Sequence, residues 1–156
     1  MNRCISRKKL FAILLSVLAE GVSVSLVPVV SGTNPQGPVT IKTAIDFSSI
    51  PFHGTFVVTE GSTILGCSKG NFVDTPLGNI EKAFTCTKGP GKGDTFTYLF
   101  ETASDAFSGG HATGHWRVLE GTGFFARLSG QGDFSLLFIP PASGVETLTG
   151  TVHFDP

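Results

Sequence analysis

The chain has 156 residues, 40% of them hydrophobic and 15% charged, with a formal net charge of −1. That length supports one domain and excludes a large multi-domain enzyme or a long helical array. The 14 phenylalanines exclude general disorder, and 20 glycines with 9 prolines suit a fold of many tight turns.

The N-terminus carries Arg3, Arg7, Lys8 and Lys9, and a ten-residue apolar run follows from Leu10 to Ala19. A basic segment before a short apolar run is the pattern of a secretory signal peptide. The expected signal covers residues 1–32, with cleavage near Ala19–Gly21 or near Ser31–Gly32. The competing reading is an uncleaved anchor from Leu10 to Val30, long enough for a bilayer of about 30 Å. Glu20 in its middle is costly there. Cys4 precedes the apolar run, so it is not placed as a lipoprotein cysteine. Removing residues 1–32 leaves seven basic against eleven acidic residues, about −4. A mildly acidic domain with no basic stripe argues against nucleic acid as a partner and against docking on anionic lipid. The expected location is therefore secreted, periplasmic or extracellular, with no membrane contact after processing.

Cys67 and Cys86 remain after cleavage. Two cysteines in an exported chain are expected to pair, closing a loop worth about 3 kcal/mol in the chain-entropy model. Free buried thiols and half of a metal site are the alternatives, and the absence of a CxxC spacing disfavours zinc.

Residues 33–38 (TNPQGP) read as a linker, and the domain proper as 39–156. Val39, Ile41, Thr43, Ile45 and Phe47 follow a period of two, the mark of a strand. Phe52–Glu60 reads as a second strand, and Ile64–Val73 as a weak one interrupted by Gly66 and Gly70. Asp74–Asn79 is a turn. Ile80–Lys88 is a strand carrying Cys86, and Gly89–Asp94 a hairpin loop. In Thr95–Glu101, Phe96, Tyr98 and Phe100 point one way and Thr95 and Thr97 the other. Residues 103–114 read as a loop, His115–Glu120 as a strand, and Phe124–Leu128 as one helical turn. Gly130–Pro140 and Thr147–Phe154 complete the set. No window after residue 38 shows a helical period. The fold class is all-β: a single antiparallel barrel of about eight strands, with a two-layer sandwich as the alternative.

Residues 121–132 (GTGFFARLSGQG) describe a tight connection between strands, with Phe124 and Leu128 as its apolar plugs. This segment resembles the G-T-G-x-F-x-x-A/L-x-G signature of the allene oxide cyclase and dirigent barrel superfamily. The His115–Val118 strand with its Trp and the closing Thr149–Phe154 (TGTVHF) extend the resemblance, which is nearest to bacterial secreted members. It covers roughly Phe52 to Phe154. The resemblance implies an eight-stranded barrel, often trimeric, with a central apolar cavity. It implies action on lipophilic intermediates by shaping them, as in cyclisation of a fatty-acid epoxide or coupling of phenoxy radicals. Positions outside the G-T-G region do not match one to one, so no functional residue is carried over.

The chain shows no nucleophile elbow, P-loop or dinucleotide fingerprint, and no cofactor is implied. His111 and His115 are four apart, which on a strand separates them by about 13 Å, too far for one ion. His53 and His153 have no companion at ligand spacing, so no metal site is assigned. The strand parity turns Tyr98, Trp116 and, unless a bulge intervenes, Glu120 inward. These three are the candidate ligand-orienting residues, set against a filled core with Glu120 in water. The leading functional reading is a secreted, non-catalytic binder of a small apolar or aromatic ligand. The alternatives are a cyclase, isomerase or dirigent-like enzyme with Glu120 as its polar group, and a structural or surface-interaction module with a solid core.

Overall fold

Eight strands pair antiparallel in chain order, and the eighth returns to the first, so the sheet is a closed barrel and not a sandwich. The computed structural model describes residues 36–75, 81–102 and 109–156. The expected signal peptide, residues 33–35 of the linker, and residues 76–80 and 103–108 lie outside the described residues. Among the described residues no helix is long and apolar enough to cross a membrane.

The strands are β1 (Gly37–Asp46), β2 (His53–Glu60), β3 (Lys69–Asp74), β4 (Glu81–Lys88), β5 (Thr95–Thr102), β6 (His111–Gly121), β7 (Leu128–Ile139) and β8 (Ser143–Phe154). A four-residue helix, α1 (Ser62–Leu65), precedes β3, and a 3-10 turn (Gly123–Phe125) precedes β7. Alternation builds the core, because successive side chains of a strand point to opposite faces. In β1, Val39, Ile41, Thr43 and Ile45 are buried between exposed neighbours. In β4 the inward set is Lys82, Phe84 and Cys86.

Several elements differ from their sequence expectation. The weak strand over 64–73 divides into α1 and β3, because Gly61 and Gly66 both take left-handed backbone and bracket one helical turn. β1 begins inside the expected linker at Gly37, where it pairs with Val152. β6 begins at His111 and β8 at Ser143, each four residues earlier than the composition suggests. In both cases the partner strand extends far enough to pair with polar and glycine-rich sequence. The turn at 124–128 contracts to Gly123–Phe125, with Phe125 and Leu128 buried and Phe124 42% exposed.

One end of the barrel is plugged. Connections β2–β3, β4–β5 and β6–β7 meet there. Leu65 and Phe125 are fully buried, and the Cys67–Cys86 disulfide ties α1's C-terminal side to β4. Gly91 N–H donates to the Gly66 carbonyl at 3.0 Å, and Phe124 N–H to Asp94 Oδ2 at 2.9 Å. Gly123 has φ +48°, a left-handed conformation in which an L side chain is strained, and its open α-carbon lies against that same carboxylate.

Aromatic rings fill the middle. Phe84 stacks on Phe96 at 5.1 Å, Phe96 meets Phe125 edge-on at 4.9 Å, and Tyr98 stacks on Trp116 at 4.5 Å. Such pairs add about 0.5–1.5 kcal/mol each beyond their buried area. Gly150 makes room for the indole, since a β-carbon there would lie 2.6 Å from Trp116 Cζ2. At the opposite end, which carries connections β1–β2 and β7–β8, the described residues leave a hollow in the interior.

Candidate functional site

The open end holds a pocket of about 490 Å³, within the range of small-molecule sites. Its walls are Ile45, Phe100, Ala112, Phe134 and Leu136, and its rim is Phe47, Phe52, Thr102, Gly110, His111 and Phe138. Phe47 and Phe52 meet edge-on at 4.9 Å, and Phe100 and Phe134 at 5.3 Å.

Three charged side chains complete the lining: Asp74, Lys82 and Glu146. The inward parity of their strands places them there. Asp74 is two residues from buried Phe72, Lys82 two from Phe84, and Glu146 two from Leu148. Their side chains are only 8%, 6% and 4% exposed. Lys82 Nζ donates to Glu146 Oε2 at 2.6 Å and lies 3.9 Å from Asp74 Oδ1. Thr43 Oγ1 donates to the same Glu146 oxygen at 3.4 Å. The ammonium also lies 4.7 Å from the centre of the Phe72 ring and 4.9 Å from that of Phe100, within reach of a cation–π attraction.

Burying charge is costly unless it is paired. Here one cation serves two carboxylates, and Glu146 holds the nearer place. Asp74 is left with a buried Oδ1 that has no hydrogen-bond partner among the described residues. Burial is the main force on its acidity. It pushes the Asp74 carboxyl up to about 6, with Lys82 pulling it down and Glu146 pushing it further up. The pocket thus combines aromatic and aliphatic walls with one compact polar cluster carrying an excess negative charge near neutral pH.

The residues singled out by sequence lie elsewhere. Tyr98 and Trp116 are 0% and 1% exposed and do not line this pocket. The Trp116 indole N–H donates to the carbonyls of Asp133 at 3.0 Å and Thr149 at 3.2 Å. The Tyr98 hydroxyl is buried without a partner among the described residues, and burial pushes its phenol up. Glu120 is exposed. The register of β5 with β6 shifts between Thr97 and Tyr98, which pair with Glu120 and Val118, so Leu119 is an extra residue. That bulge breaks the parity that would have turned Glu120 inward. On the same stretch Thr97 is buried, not solvent-facing as its alternation suggests.

A second hollow of about 430 Å³ lies on the outer wall among Glu101, His115, Arg117, Gln131 and Asp133, with Trp116 behind it. His115 Nδ1 and Asp133 Oδ1 are 2.6 Å apart there, and both side chains are exposed. His111 stands at the pocket rim, apart from His115. Among the described residues no three His, Cys, Asp or Glu side chains are grouped to hold a metal ion.

No protein-family model matches the sequence, and no curated protein matches it. Among solved structures the chain is similar to that of the pterocarpan synthase dirigent protein GePTS1. The two are 13% identical with a TM-score of 0.44, over 84% of this chain and 97% of that one. At that distance the likeness transfers neither an activity nor a residue.

Proposed function

We propose that the protein is an exported, non-catalytic binding barrel that takes a small apolar or aromatic ligand through its open end. The observation that supports this is the asymmetry of the interior. One end is packed around Leu65, Phe125 and the disulfide, whereas at the other the described residues leave about 490 Å³ between aromatic walls. Small barrels otherwise fill their interiors with side chains. A polar cluster at one point of an apolar pocket orients a ligand. Export is part of the reading, since a buried disulfide persists in an oxidising compartment. So is assembly of copies into a trimer.

A second reading is acid–base chemistry on the bound molecule, as in an isomerase. The raised Asp74 carboxyl beside Lys82 favours it, because a group poised near neutral pH can exchange protons.

Native mass spectrometry of the protein from its own exported fraction tests the binding reading. The expected spectrum carries added small-molecule mass that disappears on denaturation, and the same spectrum reads the number of copies. Ala112→Trp fills the pocket from a wall position and is expected to abolish the adduct. A bare mass in every oligomeric state sinks tight binding.

A further inference from the structure

The polar cluster is not neutral, and its imbalance selects among ligands. Lys82 and Glu146 form a close pair at 2.6 Å, which leaves Asp74 the weaker share of that one ammonium at 3.9 Å. Asp74 faces the pocket with a side chain more than nine-tenths buried and an oxygen without a hydrogen bond among the described residues. A ligand carboxylate placed there would meet two carboxylates against one ammonium. A neutral hydroxyl would donate a hydrogen bond yet leave the excess charge buried. A cationic donor satisfies both demands. The wall residue Phe100 suits it too, for its ring already lies 4.9 Å from the Lys82 ammonium. Phe47, Phe52 and Phe134 present further ring surface toward the rim.

We propose that the pocket takes a small amphiphilic amine, its protonated nitrogen against Asp74 and its apolar body between Phe100, Phe134 and Leu136. This rests on the open end being a ligand site, and it adds the head-group class.

The proposal has a pH signature. Among the described residues, the ionisable groups that line the pocket with Asp74 are Lys82 on β4, Glu146 on β8 and His111 on β6. The amine prefers ionised Asp74, whose carboxyl titrates at about 6. A ligand with an alkylammonium stays protonated well above that range. Amine affinity is therefore expected to fall about tenfold between pH 7.5 and pH 5, by proton linkage.

The test is a calorimetric titration of the full processed protein with three probes sharing one apolar body: 2-phenylethylamine, 2-phenylethanol and 3-phenylpropanoate, each up to millimolar concentration. The amine is expected to bind at least tenfold tighter than the alcohol at pH 7.5, and the carboxylate weakest. Asp74→Asn should bring the amine down to the alcohol's affinity and flatten its pH response. If the alcohol or carboxylate matches the amine, the head-group assignment is overturned and the pocket stands. If none of the three binds, the pocket reading fails with it. Should Asp74→Asn not fold, the pH profile of the natural protein decides, and a flat amine profile overturns the proposal. A pH response that follows His111→Gln instead of Asp74→Asn overturns it too.

Discussion

Replacing Lys82 by methionine is expected to cost about 3–5 kcal/mol of stability at pH 7.5, the scale for breaking a buried ion pair by removing one partner. Methionine keeps the apolar stem against Phe72 and Phe100 but removes the ammonium that lies 2.6 Å from Glu146 and 3.9 Å from Asp74. Two buried carboxylates of one cluster are then left without a cation. The sign of the pH dependence follows from Asp74. Its carboxyl is raised from 3.8 to about 6 on folding. A raised carboxyl contributes stability that is full below pH 3.8 and lost as pH rises through about 6. Without Lys82 the pull that holds it down is gone, so that loss extends over a wider range. The deficit of Lys82→Met is therefore greatest at and above neutral pH and shrinks toward pH 5. Urea unfolding at both pH values checks this. Equal stability of variant and parent at pH 7.5 would show that the cluster is not held together by Lys82.

Trp116→Ala should cost a similar amount, about 3–5 kcal/mol, for a different reason. The indole is sealed in the core, stacked 4.5 Å from Tyr98 and bonded through its N–H to two backbone carbonyls on neighbouring strands. Its removal opens a large void beside Gly132 and Gly150, where no side chain can collapse inward. Trp116→Phe keeps a ring and loses the N–H, and should cost clearly less. Neither change should alter amine binding in the folded protein, because Trp116 does not line the pocket. Thermal unfolding measures the first claim. A Trp116→Ala variant within 1 kcal/mol of the parent, a small effect for a core truncation, would contradict the packing described.

The all-β class was legible because Val39, Ile41, Thr43 and Ile45 alternate with outward-facing neighbours, and Phe96, Tyr98 and Phe100 keep the same period although Thr97 between them is buried too. Period two alone leaves barrel and sandwich open, and the sheet closes as the expected barrel of eight strands. The disulfide followed from cysteine count and the expected export, and Cys67 and Cys86 are joined. The site was the least legible part. Tyr98 and Trp116 carry polar atoms on inward positions, which suggests a ligand, but parity does not say at which end of the barrel a residue lies. The three residues that do carry charge into the pocket sat near the ends of strands. Asp74 reads as a turn residue beside Thr75-Pro76, and Glu146 precedes the expected start of the last strand. Lys82 shares the parity of Phe84 and Cys86, and that was the one available signal. A charged residue on the inward face of an otherwise apolar strand is either a boundary error or a site.

If the open end is the binding site and the rest of the interior is closed, a small apolar probe enters there and nowhere else inside the barrel. Soaking a crystal of the protein with bromobenzene and locating the bromine by its anomalous signal tests this most directly. The predicted position lies between Phe100, Phe134 and Leu136, over the Lys82–Glu146 pair, with none beside Leu65 or Phe125. Bromine found only in the outer hollow by His115 and Asp133, or an empty pocket at saturating probe, would contradict it.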